Sequence, residues 1–297
     1  MIGILSLAIF LYAISFNLSK FGLLYAQPIF FIGLRFLVSG FIFLITVFLQ
    51  QKSIFIAKKD LWLFVQVSLF SFFLSGLMFM WSVQYLSSGK SAFIFSLMPF
   101  MFAIFSYFYL HESMSKRKWL AIAIGFAGSI PMLMGTNQEM GASEWVSLWP
   151  TVINVLSVLC YCIGIVVVRK LVKYRGYQPN LIMGMGLFTS GIALLILSFF
   201  TEGLFPVDFY SPFLFIFVLL VLSYDILYNF LYATLLKIYT ATFLSLILLV
   251  SPLISSIIGW LLLSEKISWT FIPMLVFSII GLMIFYQEEQ RDHCSNT

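Results

Sequence analysis

The sequence predicts an all-α integral membrane protein of ten transmembrane helices, arranged as two inverted five-helix repeats. Composition, an internal repeat and the placement of the basic residues predict it. Only 9% of the 297 residues are charged and 62% are apolar, with a mean hydropathy of +1.07, whereas soluble domains are about one-quarter charged. A bilayer tolerates only structures that satisfy every backbone amide internally, which leaves helices and closed barrels. The apolar runs are about twenty residues long and lack alternation with period two, so they read as helices.

The repeat is visible without any gap. Tyr85-Leu86-Ser87-Ser88-Gly89-Lys90-Ser91-Ala92 leads to Pro99, then His111-Glu112, then Gly128. Tyr239-Thr240-Ala241-Thr242 leads to Pro252, then Ser264-Glu265, then Gly281. Pro99 and Pro252, Glu112 and Glu265, and Gly128 and Gly281 are each 153 residues apart. Self-similarity of this kind sets the architecture: residues 1–138 form a first repeat, 139–287 a second, and 288–297 a cytoplasmic tail.

Polar and turn-forming breaks mark ten segments, in order 2–20, 30–49, 61–85, 90–110, 119–134, 148–168, 181–200, 213–236, 241–263 and 271–286. The first opens with Met1-Ile2-Gly3-Ile4-Leu5, which lacks the basic leader of a signal peptide and reads as a spanning helix. Lys52, Lys58 and Lys59 follow the second segment, Lys116, Arg117 and Lys118 the fourth, Arg169, Lys170, Lys173 and Arg175 the sixth, Lys237 the eighth and Arg291 the tenth. All fall on one side if both termini are cytoplasmic, as the positive-inside rule requires. Glu139, Glu144, Glu202 and Asp208 fall on the other. The net charge of +5 is therefore topology, and nucleic-acid binding is not indicated. Five helices per repeat, an odd number, make the second repeat enter from the opposite side. Secondary transporters use such inverted repeats around a site near the midplane.

Asp225 is the sharpest chemical signal. It lies in the middle of the eighth segment, where an acid costs at least about 2.5 kcal/mol, so it should face a cavity, pair with a cation or take a proton. At about 100° per residue, Asp225, Tyr228, Asn229 and Tyr232 share one helical face, a lining suited to a polar ligand. The competing reading buries Asp225 against Asn17, Asn154 or a helix end. Shifted by 153, the same face in the third segment carries Phe72, Ser75, Gly76 and Phe79, so the anionic wall belongs to the second repeat. Trp81 and Tyr85 line the cavity or sit in an interfacial belt. Arg35 either binds a substrate carboxylate in a bidentate fork, or it snorkels outward or holds a neighbouring helix end. Lys20 and Lys90 read as snorkelling anchors. Pro99 and Pro252 each remove a helical hydrogen bond within a segment and read as gating or hinge positions. Glu112 and Glu265 read as capping or pairing groups.

The three cysteines (Cys160, Cys162, Cys294) define no disulfide framework. Two separated histidines make no metal site, and no phosphate-binding loop or cofactor motif occurs. Coupling to ATP is unsupported, so transport would be downhill, by exchange, or ion-coupled, with Asp225 the group to carry a proton.

Three further motifs complete the pattern: Leu11-Tyr12-Ala13-Ile14-Ser15-Phe16-Asn17-Leu18-Ser19-Lys20, Gly33-Leu34-Arg35-Phe36, and the eight-residue spacing of Tyr12 to Lys20 repeated in Tyr161 to Arg169. With the two Pro-to-Glu stretches, these resemble the drug/metabolite transporter superfamily with two EamA-type domains, over residues 2 to 286. His111 and Ser264 depart from the glycine usual in that family. The resemblance implies a bacterial inner-membrane carrier in which helices one, three, four, six, eight and nine surround a cavity while five and ten lie peripherally. The expected function is alternating-access transport of a small organic metabolite, an amino acid or amine-bearing derivative such as S-adenosylmethionine, by exchange or proton coupling. Its partners are that substrate and the bilayer. The alternatives are a membrane-embedded lipid-modifying enzyme, which lacks its catalytic cluster here, or a lipid-like exporter.

Overall fold

A computed structural model of the chain describes residues 2–50, 56–110, 114–134, 144–208, 210–235, 244, 247–265 and 271–295. Each of the ten apolar segments carries a helix, and no strand occurs among the described residues. α1 is Ile2–Gly22 and α2 Pro28–Leu49. α3 runs through Leu61–Gln66, a π-helical stretch Val67–Leu74, and Ser75–Val83. α4 consists of Ser88–Ser96 and Met98–Leu110, separated at Leu97. α5 is Lys116–Met134, α6 Glu144–Arg175 and α7 Pro179–Thr201. α8 is Tyr210–Leu220, a second π-helical stretch Val221–Tyr228, and Asn229–Leu235. α9 is Ser251–Leu263 and α10 Phe271–Ser295.

Seven helices among the described residues are long and apolar enough to cross a membrane on their own. α6 and α10 outrun the apolar segments that announced them, because charged side chains end a lipid-facing stretch without ending a helix. Helix starts follow local chemistry. Pro28 and Pro179 occupy the first turn, where a missing N–H costs nothing. The Glu202 carboxylate, just past the end of α7, accepts from the Ile29 and Phe30 amides at 2.9 and 2.8 Å, which caps α2.

The chain forms two compact units, and each draws on both halves of the sequence. One, unit A, comprises Met1–Asn17, Tyr85–Val152 and Leu227–Thr297; the other, unit B, comprises Leu18–Gln84 and Ile153–Ile226.

In unit B, α2 and α7 pack closely and antiparallel. A Cβ at Gly33 would lie 3.1 Å from Leu194, and one at Gly184 3.0 Å from Leu44. At the centre, the Gly40 position lies 3.0 Å from the Gly184 carbonyl and the Gly191 position 3.0 Å from the Gly33 carbonyl. Small residues permit such backbone approach in a bilayer. The two glycine pairs are related by one shift of 151 residues, so the crossing has local two-fold character. Where α3 begins, Asp60 accepts from the Tyr177 hydroxyl (3.0 Å) and pairs with Arg175 (3.2 Å). Beside them lies a core of Phe64, Val67, Phe72, Leu171, Ile182 and Leu187.

In unit A, α5 and α10 are also antiparallel. Gly281 faces the Ala121 carbonyl, Lys118 lies 5.8 Å from the Phe285 ring, and Arg117 pairs with Glu288 at 3.0 Å. The Glu265 carboxylate accepts from the Ser88 amide at 2.9 and 3.0 Å and so caps α4. Glu112 and His111 lie outside the described residues.

Pro99 and Pro252 do not sit in the middle of a helix. Each follows a break, at Leu97 in α4 and at Val250 before α9, and starts the next helical piece. The breaks are matched bond for bond. Leu97 N–H donates to Ile94 and Val250 N–H to Ile247, while Phe100 and Met101 donate to Leu97 as Leu253 and Ile254 donate to Val250. The 153-residue repeat of sequence is thus a repeat of backbone conformation.

Candidate functional site

α2 carries Arg35 and, one turn later, Ser39, on the same face by their spacing of four. Both point at Asp225 on the π-helical stretch of α8, within unit B. Arg35 Nε donates to Asp225 Oδ2 at 2.9 Å and Nη2 donates to Oδ1 at 2.8 Å, a bidentate fork. Ser39 Oγ donates to Oδ2 at 2.8 Å. The Arg35 guanidinium also lies 5.1 Å from the Tyr224 ring centroid, within cation–π range. Arg35 is 5% exposed and Asp225 8%. Two charges are taken from solvent here, and the fork with its third hydrogen bond is the arrangement that offsets such a cost.

Asp225 is thereby paired with a cation, Arg35, and Ser39 is a further partner. Asn154 is fully buried, and neither of its amide atoms has a hydrogen-bond partner among the described residues. The single face expected for Asp225, Tyr228, Asn229 and Tyr232 assumed α-helical spacing. Val221–Tyr228 is π-helical, so that spacing does not hold from Asp225 to Tyr228. The division into units also falls between Ile226 and Leu227.

The two π-helical stretches start 154 residues apart, at Val67 and Val221, and both are 8 residues long. Asp225 therefore corresponds to Ser71, one residue away from the Phe72 that the 153 shift assigned. π-Helical turns recur at functional sites, and here the repeat preserves one in each half despite different side chains.

The other candidates in unit A are placed as follows. Tyr228 is buried between Tyr12, 5.3 Å away by ring centroid, and Tyr232, 5.7 Å away. Tyr12 in turn meets Phe16, and Phe16 meets Phe95, which makes a continuous aromatic row. Asn229 follows on α8, partly buried. Asn17 donates to the Ser255 carbonyl and hydroxyl at 3.2 and 3.0 Å, while its own Oδ1 has no hydrogen-bond partner among the described residues. Tyr85 is 42% exposed; in unit B, Trp81 at the end of α3 is 37% exposed. The structure thus joins Arg35 with Asp225 and Tyr228 with Tyr232. Sequence reasoning missed Ser39, Tyr224 and Tyr12. The first could have been found from its spacing to Arg35, whereas the others depend on which helices meet.

No group of three metal-ligating side chains occurs among the described residues. An apolar recess of about 430 Å³ in unit B, bounded by Phe30, Leu34, Leu195, Phe199, Phe205 and Phe213, has no charged side chain in its lining. It suits lipid better than a polar metabolite.

A helical polytopic membrane protein with a buried ion pair and duplicated helix breaks is the class these features define. The family model of the EamA-like transporter family matches residues 1–134 and 148–287, and the chain belongs to that family. It is accordingly a transporter, not an enzyme. Relatives include the protein named S-adenosylmethionine/S-adenosylhomocysteine transporter of Chlamydia muridarum (strain MoPn / Nigg), 29% identical over 95% of this chain and 90% of that protein. The protein of the same name from Chlamydia trachomatis serovar L2 is also 29% identical, over 95% and 88%. The uncharacterized transporter YvbV of Bacillus subtilis (strain 168) is 23% identical over 71% and 67%. A solved structure titled only "Crystal structure of protein" superimposes with a TM-score of 0.66 at 14% identity, over 97% of this chain and 96% of that one, which shows the shared fold.

Proposed function

We propose that this chain is a secondary carrier of an amine-bearing small metabolite of the S-adenosylmethionine type, moved by exchange or with a proton. The observation that carries the reading is its likeness, along 95% of its length, to two proteins named for that substrate pair. The chemistry of the chain supports it. Asp225 supplies a buried anion for a substrate cation, and the tyrosine row of unit A offers the flat, polarisable surface on which a planar base stacks. We retain Asp225, Arg35 and Trp81 in unit B, and Asn17, Tyr85, Tyr228, Asn229 and Tyr232 in unit A, as substrate-contacting candidates.

The mechanism is alternating access between two EamA-type repeats, 1–138 and 139–287, with Pro99 and Pro252, each just after a helix break, as gates and both termini in the cytoplasm of a bacterial inner membrane. The antiparallel pairing of α2 with α7 and of α5 with α10 supports inversion, since each helix meets its own counterpart running the opposite way. The test is counterflow in proteoliposomes with labelled S-adenosylmethionine against a panel of amine metabolites, with Asp225→Asn alongside. Wild type should accumulate label against at least one panel member, and Asp225→Asn should lose about 100-fold or more, as expected when a buried partner is removed from a charged site. No exchange with any amine metabolite, or full activity of Asp225→Asn at every pH, overturns the reading.

A further inference from the structure

Unit B contains two crossings that correspond to each other through the repeat, and only one of them is charged. The 151-residue shift that relates Gly33 to Gly184 and Gly40 to Gly191 also relates Ser39 to Ser190 and Arg35 to Gly186. Ser190 reaches the π-helical stretch of α3, donating to the Ser68 carbonyl at 2.7 Å, as Ser39 reaches the π-helical stretch of α8. Where α2 has Arg35, α7 has Gly186, whose missing side chain leaves room for the Phe72 ring. Where α8 has Asp225, α3 has Ser71. A crossing of this shape is therefore made with a serine, a glycine and a phenylalanine. The ion pair is an addition to one half only, made despite the cost of desolvating both charges.

We propose that the Arg35–Asp225 pair is the receptor for the α-ammonium and α-carboxylate of the substrate, so that the carrier is specific for amino-acid zwitterions; this rests on the carrier function proposed above. The Nε and Nη2 edge of Arg35 already holds a carboxylate in bidentate geometry, and a substrate carboxylate takes the place of Asp225 there. The displaced Asp225 carboxylate, in hydrogen-bond contact with Ser39, accepts the substrate ammonium. Two buried charges pair with each other before binding and with two substrate charges after it, so the site is neutral throughout. An amine without a carboxylate satisfies Asp225 but leaves Arg35 without an anion, and a carboxylate without an amine does the reverse. Stranding a buried charge is strongly unfavourable, and a small site turns that into discrimination.

The experiment uses the full chain in proteoliposomes loaded with labelled S-adenosylmethionine, and separately with labelled methionine. Competitors are S-adenosylhomocysteine, its decarboxylated amine and its N-acetyl derivative. The intact zwitterion should compete about 100-fold better than either derivative. The double variant Arg35→Gln/Asp225→Asn removes both charges together and strands neither; its fold is followed by gel filtration and thermal unfolding. It should distinguish the three competitors by less than about three-fold. If the decarboxylated amine competes as well as its parent, or if the double variant keeps wild-type discrimination, the receptor assignment is wrong while the carrier reading stands. If neither labelled compound nor any competitor is transported or bound, both fall together.

Discussion

Ser264 ends α9 in the left-handed region, with φ at +54°, the conformation glycine adopts at helix C-termini without steric penalty. The Glu265 amide then closes the turn on the Gly259 carbonyl at 3.1 Å, and the Glu265 side chain caps α4. Backbone strain at one residue thus aims a carboxylate that joins two helices of unit A. Ser264→Gly should raise stability by about 0.5 kcal/mol, because relief of the left-handed cost slightly exceeds the added freedom of the unfolded chain. Ser264→Val, β-branched at positive φ, should lower it by about 1–2 kcal/mol. Thermal unfolding midpoints in detergent order the three proteins. Equal midpoints would mean that the turn carries no strain. At this scale the sequence was partly legible. Asp225 and Arg35 announced themselves as charges within apolar segments, but only the packing of α2 on α8 could show that they neutralise each other.

Helices were legible as apolar runs, and their ends as prolines, glycines and basic clusters, because those signals act through neighbours along the chain. Two features were not. The π-helical stretches in α3 and α8 share only their opening valine and have no local signature, so α-helical spacing is the default expectation through both of them. The breaks before Pro99 and Pro252 are signalled by the prolines, yet each lies two residues earlier, since proline suits the first turn of a new helix. The α2–α7 crossing belongs to this scale as well. Gly40 and Gly191 each admit a neighbouring backbone, and a Cβ at Gly191 would come within 2.5 Å of the Leu37 amide nitrogen. Gly191→Leu should therefore force the helices apart and cost about 3 kcal/mol, at the upper end of overpacking penalties. Leucine at Gly176, which has nothing within 4 Å but a φ of +71°, should act only through local backbone strain. Expression and unfolding midpoints of the two variants separate packing from strain, and equal losses would contradict the tight crossing.

Composition and the 153-residue repeat made the whole molecule legible as a duplicated membrane protein, whereas the grouping of helices into compact units was not, because each unit mixes both halves. The duplication has a mechanical consequence within unit A. α4 and α9 carry the same break, with the same backbone bonds on either side of it, at Leu97 and at Val250. If the repeats are inverted, these breaks face opposite leaflets, and each governs one of the two openings of an alternating-access cycle. Alanine at Pro99 or Pro252 supplies the missing amide and lets the helix run through, which straightens one break and leaves the other untouched. A bias of about 1 kcal/mol between inward- and outward-open states changes apparent affinity by about five-fold. Pro99→Ala should therefore raise the KM for labelled S-adenosylmethionine on one face of the membrane, and Pro252→Ala on the opposite face. Right-side-out and inside-out vesicles read the two faces separately. Equal shifts on both faces, or the same face affected by both variants, would rule out the prolines as paired gates and leave them as ordinary helix starts.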